Sequence, residues 1–189
     1  MIRIGILGDI GSGKTYIAKK FGYPVFNADA EVAELYKKSR KCYNKLKKAL
    51  PNYISFFPVK KKELKRAISS NSSNLKKIIK IIHPEVRSKM KNFLKKNKNK
   101  KYVVLDIPLL LENKINKKSD VLIFVDAKKK EINKRLKKNR RNQIKILRKF
   151  QLPIEIKKKK ADFIIKNNFR SKFIKKNVKI TIKKILSNA

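Results

Sequence analysis

The residues with the clearest chemical meaning are Gly8-Asp9-Ile10-Gly11-Ser12-Gly13-Lys14-Thr15, which fit the pattern G-x-x-x-x-G-K-[ST] directly after the apolar run Ile2 to Leu7. In such a loop successive backbone N–H groups close around phosphate oxygens, and glycines are needed where side chains would obstruct the approach or the torsions. Gly8, Ile10, Gly11, Ser12 and Gly13 are therefore the expected backbone cradle of a nucleoside triphosphate. Lys14 is expected to reach the β- and γ-phosphates. Thr15 is expected to offer its hydroxyl to Mg2+, and the helix it opens presents its positive end to the anion. Three of the five glycines in the chain fall within residues 8–13, and a strand before with a helix after is the context the motif requires.

Acidic residues are the second signal, because they are scarce and placed. Of 13 Asp and Glu, Asp9, Asp29, Glu31, Glu34, Asp106, Glu112, Asp120 and Asp126 flank apolar segments, where the carboxyl ends of strands gather ligands in an open α/β sheet. Asp106 closes the run Tyr102 to Asp106 and is expected to hold a metal-bound water beside the phosphates. Four arginines, Arg135, Arg140, Arg141 and Arg148, follow the fourth apolar run; guanidinium forks suit phosphate oxygens, and Arg140 is expected to close over the nucleotide.

Five short apolar runs near 2–7, 24–27, 102–107, 121–125 and 163–165 read as the strands that must position these groups. Helical spacing fills the intervals. One helix is expected from Ser72 or Ser73 with Leu75, Ile78, Ile79, Ile82, Val86 and Met90 on one face, kinked or divided at Pro84. Another starts at Ser171, with Ile174, Val178, Ile182 and Ile185 on one face. Strands alternating with helices imply right-handed crossovers and a parallel five-stranded sheet flanked by helices. Residues 37–100 contain no strand signal and read as a helical insertion, and residues 135–160 read as a small lid, all within a single domain over 1–189.

Composition bounds the class. The chain has 189 residues with 54 Lys or Arg and a formal charge of +41, yet 45 of those bases are Lys and only 9 are Arg. Lys, Asn and Ile, the residues of A- and T-rich codons, dominate the sequence, so the charge does not require a polyanionic partner. A nucleic-acid-binding ATPase is the alternative this charge suggests; the bases are spread throughout, with few arginines or aromatics interleaved for base recognition. No specific nucleic acid and no membrane partner are expected, and no apolar run approaches the ~18 residues of a membrane span. Cys42 has no second cysteine to pair with, and His83 is the only histidine, so a multi-histidine metal site is impossible. A reduced, cytoplasmic protein is expected. A GTPase would need Asn-Lys-x-Asp, and Asn116-Lys117-Lys118-Ser119-Asp120 is one residue too long. The length leaves a small-molecule kinase favoured over motor ATPases.

The remaining segments resemble the dephospho-CoA kinase family nearly end to end. After the phosphate loop, Asn27-Ala28-Asp29 matches the family's Asp-Ala-Asp, His83-Pro84 its His-Pro pair, and Pro108-Leu109-Leu110-Leu111-Glu112 its Pro-Leu-Leu-x-Glu. Gln151 and Ala161-Asp162-Phe163-Ile164-Ile165-Lys166-Asn167 follow at similar spacing. The resemblance implies a P-loop kinase-like fold with an acceptor-binding helical insertion and a lid. It also implies transfer of phosphate from ATP, with Mg2+, to the ribose 3′-hydroxyl of dephospho-coenzyme A as the small-molecule substrate. Asp29, matching the last Asp of the triplet, is implied as the carboxylate that orients and deprotonates the hydroxyl, with Lys14 as its catalytic partner on the phosphate side. A nucleoside or nucleotide kinase is the alternative that the loop alone permits. The chain departs from the pattern at Asp9 and Phe169, where the family has Gly, and at Asn27, where it has Asp.

Overall fold

The computed structural model describes residues 1–136, 147–148 and 150–187, which form two compact units, 1–27 with 97–187 and 28–96. In the first unit β1 (Ile2–Gly8) is buried along all but its first residue, and β3 (Tyr102–Asp106) is buried at every position. Apolar runs without alternation are what a parallel sheet covered on both faces demands of its central strands. β2 (Val25–Asn27), β4 (Val121–Ala127) and β5 (Phe163–Asn167) complete a sheet of order β2-β3-β1-β4-β5 in which every pair is parallel. β5 lies at an edge, and Ile164 and Lys166 on it are exposed in alternation with buried Ile165 and Asn167.

The register brings strand ends to one edge. Asn27 lies opposite Asp106, Gly8 opposite Val125, and Ala127 opposite Asn167. Strand order reverses on either side of β1, and crevices at the carboxyl ends of such strands are where α/β sheets hold ligands. Behind them α1 (Lys14–Lys20) and α8 (Ser171–Ser187) pack Ile17, Ala18, Ile174, Val178 and Ile185 against Ile4, Ile6, Val104, Ile123 and Val125. Burial of each such side chain contributes about 1.5–3 kcal/mol. A buried ion pair, Arg3 Nη2 to Asp120 Oδ2 at 2.7 Å, ties the start of β1 to the turn before β4. α6 (Lys129–Arg135) ends where the segment expected as a lid begins, and α7 (Ile154–Lys159) lies within that segment.

The second unit is helical. α2 (Ala28–Lys38), α3 (Arg40–Ala49), α4 (Lys61–Ser70) and α5 (Ser73–Lys96) enclose Leu35, Cys42, Leu46, Leu50, Ile54, Leu64, Ala67, Ile78 and Ile82. Ser39 starts α3 by accepting the Cys42 N–H at 3.2 Å, and Glu63 accepts the Lys60 N–H at 3.0 Å at the start of α4. α5 is one helix, with Pro84 inside it; the expected division does not occur. Proline removes one helical hydrogen bond. The apolar face continues through Ile78 and Ile82 to Val86 on its far side, so packing on both sides of Pro84 holds the helix together. α2 begins at Ala28, placing Asp29 in its first turn.

Candidate active site

The loop between β1 and α1 has the torsions its glycines were expected to supply. Gly13 starts α1 in the left-handed region at φ 88°, and no side chain caps the helix. A Cβ added there would lie 2.6 Å from Nδ2 of Asn167, so only glycine allows the loop to lie this close to the end of β5. Ser12 is buried, and its Oγ has no hydrogen-bond partner among the described residues. A buried hydroxyl left unmatched is costly unless a ligand completes it, and here it lies inside a glycine cradle suited to phosphate oxygens. Lys14 folds back over the loop, Nζ donating to the carbonyls of Asp9 at 2.8 Å and Gly8 at 3.2 Å. Thr15 is exposed in the first turn of α1.

Asn167 holds this loop in place. Its Nδ2 donates to the Ser12 carbonyl at 2.7 Å in a buried contact, while its Oδ1 accepts the Phe169 N–H at 2.8 Å. Phe169 has φ 61°, a region that L residues seldom adopt, which gives a physical reason for glycine at the corresponding place in the family pattern. The Arg135 guanidinium stacks 4.6 Å over the Phe169 ring. The sequence marked Asn167 only as part of a resemblance; its bond to a residue 155 positions away carries no local signal.

Asp9 brings a carboxylate into the loop, and the structure shows what it meets. Oδ1 accepts the Ile10 N–H at 2.7 Å and Oδ2 accepts Arg148 Nη2 at 2.8 Å. Of the four arginines singled out, Arg148 and Arg135 reach the surroundings of the loop; Arg140 and Arg141 lie outside the described residues, as does most of the expected lid before Leu147. Beyond Arg148, Glu112 accepts the Leu152 N–H at 2.9 Å and pairs with buried Lys157 at 2.8 Å.

Asp106 ends β3 at 2% exposure, and its Oδ2 accepts a hydrogen bond from Nδ2 of Asn27. An amide at position 27 therefore serves the carboxylate as a donor, where a second carboxylate would repel it. Hydroxyl and carboxylate oxygens such as those of Thr15 and Asp106 are the hard ligands Mg2+ takes, one or two from protein and the rest from phosphate and water. Among the described residues no group of three or more His, Cys, Asp or Glu could hold a metal by itself.

The helical unit carries Asp29, exposed in the first turn of α2, two residues past Asn27 at the end of β2. It also carries His83, half-buried on α5; burial first, then the charge of Arg87, hold its imidazole below the usual range.

A family model described as dephospho-CoA kinase matches residues 2–172. The protein named dephospho-CoA kinase from Wolbachia sp. subsp. Brugia malayi is 30% identical over 183 residues, covering 93% of this chain and 94% of its own. The protein of that name from Bartonella quintana is 35% identical over 170 residues, covering 86% and 87%. Among solved structures, TT1252 from Thermus thermophilus aligns with a TM-score of 0.76 at 29% identity, over 99% of this chain and 97% of its own.

Proposed function

The chain belongs to the dephospho-CoA kinase family, and we propose that its residues carry out ATP-dependent phosphorylation of dephospho-coenzyme A, the last step of coenzyme A synthesis, in the following way. The loop Gly8 to Thr15 receives the triphosphate of ATP, with the backbone N–H groups of Gly11 and Gly13 and the orphaned Ser12 hydroxyl offered to its oxygens, while the Ile10 and Ser12 N–H groups are held by Asp9. Lys14, which holds the carbonyls of Gly8 and Asp9, transfers its donors to the β- and γ-phosphates and balances the charge that spreads over the transferring group. The observation that carries this reading is the glycine cradle at the carboxyl edge of β1, closed by Asn167 to a spacing that tolerates no Cβ at Gly13.

Asp29 accepts the proton of the acceptor, which we take to be the ribose 3′-hydroxyl, as its oxygen attacks the γ-phosphorus. The new O–P bond forms as the bond to the β,γ-bridging oxygen breaks, and ADP leaves with that electron pair. Support for Asp29 is its exposed carboxylate in the turn directly after β2 and its match to the family triplet. Thr15 and Asp106 would hold Mg2+, directly or through water, and the ion would neutralise phosphate oxygens. Asn27 fixes the orientation of Asp106 and leaves the metal side of the site with a single strand-end carboxylate. No described helix is long and apolar enough to cross a membrane. The unpaired, buried Cys42 and a small-molecule substrate agree with a reducing, cytoplasmic setting.

The test is Asp29→Asn. Loss of a general base lowers kcat by about 10²–10⁴-fold, while ATP affinity measured by calorimetry should stay within about threefold, since Asp29 does not belong to the phosphate cradle. A kcat within fivefold of wild type would remove Asp29 from the mechanism.

A further inference from the structure

Asp9 poses a problem that the family reaction does not solve. A carboxylate at 8% exposure in a loop that must receive a triphosphate opposes the ligand, and the loop's other donors cannot remove its charge. The structure answers with Arg148. Its Nη2 lies 2.8 Å from Asp9 Oδ2, with the Asp9 side chain 11% and the Arg148 side chain 39% exposed, so the carboxylate is sheltered while solvent screens the arginine's side of the pair. The Asp9 carbonyl meanwhile accepts both Lys14 Nζ and the Ser12 N–H, at 2.8 and 3.2 Å. One residue thus gathers two of the cations nearest the cradle.

Arg148 is also held from behind. Its carbonyl accepts the Gln151 N–H at 3.0 Å, and Gln151 Oε1 accepts Lys157 Nζ at 3.1 Å. Lys157, 2% exposed, pairs with Glu112, which also takes the Leu152 N–H. A surface arginine pairing by chance would need no such anchor. Glu112 and Gln151, two positions that carry the family resemblance, thus find their place in fixing the backbone that presents this guanidinium. Residue type matters as well: in a chain with 45 Lys and 9 Arg, the group at 148 is an arginine. Its planar fork can satisfy one carboxylate oxygen and keep further donors, which a lysine ammonium does with less geometric control.

We propose that Arg148 is a positioning residue for nucleotide binding: anchored through Gln151, Lys157 and Glu112, it cancels the charge of Asp9 and so makes a phosphate loop containing a carboxylate competent for a triphosphate. This rests on the reading of the loop as the ATP site. It differs from a role in which Arg148 itself binds ATP, because it makes the arginine necessary only while Asp9 is charged.

Calorimetric titration of Mg·ATP into wild type, Arg148→Ala and the double variant Asp9→Asn/Arg148→Ala separates these, with the nucleotide-free melting temperature of each as the check on folding. Arg148→Ala should weaken ATP binding about 10- to 100-fold, the range for an uncompensated charge near phosphate, with the deficit shrinking as salt is raised. The double variant should regain at least fivefold over Arg148→Ala. Arg148→Lys serves where the alanine variant does not fold: it should bind severalfold more weakly than wild type, and adding Asp9→Asn should remove that deficit. Affinity in Arg148→Ala within twofold of wild type overturns the proposal, as does a double variant as weak as the single one, which would make Arg148 a direct ligand contact. Wild-type protein that binds no ATP would overturn the reading of the loop and the proposal with it.

Discussion

Replacing Asn167 by Asp changes one donor to an acceptor at nearly constant volume and tests whether the end of β5 shapes the phosphate loop. In the native protein Nδ2 donates to the buried Ser12 carbonyl at 2.7 Å and Oδ1 accepts the Phe169 N–H at 2.8 Å. The aspartate keeps the second bond and turns the first into two oxygens facing each other at 4% exposure. A buried carbonyl left without its donor costs about 1–3 kcal/mol, and the opposed carboxylate adds to this, so a loss of about 2–4 kcal/mol is expected. For a chain of this size that lowers the melting temperature by about 4–16 °C. A carboxyl held against a carbonyl favours its protonated form, so its folded pKa lies above the unfolded one. The penalty is therefore largest at neutral pH and shrinks as pH falls. The assay is thermal melting at pH 7 and pH 5, together with ATP affinity by calorimetry, which should weaken at least tenfold at pH 7 as the loop loses its tether. A melting temperature within 2 °C of wild type together with unchanged ATP affinity would refute the view that Asn167 holds the loop.

Asn27→Asp puts two carboxylates in register at the ends of β2 and β3, and the variant should melt below wild type at pH 7, recovering as pH falls because a shared proton relieves the repulsion. Melting curves of both proteins across pH 5–8 check this, and parallel curves would contradict it. His83, kept below its ordinary value of 6.5 by burial and Arg87, is protonated in the unfolded chain at a higher pH than in the folded one. The stability carried by its neutral form is complete above that unfolded value and is lost as pH falls toward the folded one, so melting should drop between pH 7 and pH 5 and drop less in His83→Gln. An identical drop in the variant would show that other groups set it.

What could be read from the sequence was what is local. A glycine-rich loop of eight consecutive residues appears whole in the string, and so do strands buried on both faces, which show as unbroken apolar runs. Asp106 was legible because an acid closes such a run. The partners of these groups were not. Asn27 with Asp106, Asn167 with Ser12, and Arg148 with Asp9 are separated by 79, 155 and 139 residues, and a hydrogen bond at that distance leaves no period in the sequence. The division that Pro84 allowed beside a kink is absent for a related reason. A proline signals a break through its own lost bond, whereas α5 is held by the core of the helical unit on both sides of it.

As a member of this family, the chain moves the γ-phosphate of ATP onto dephospho-coenzyme A. The most direct measurement is to incubate the purified protein with Mg·ATP and dephospho-coenzyme A and follow both products by mass. The expected result is coenzyme A and ADP in equal amounts, no transfer to nucleosides offered instead, and no product from Lys14→Ala. ATP consumed without coenzyme A, and faster when RNA or DNA is added, would contradict it and make the lysine excess the feature to explain.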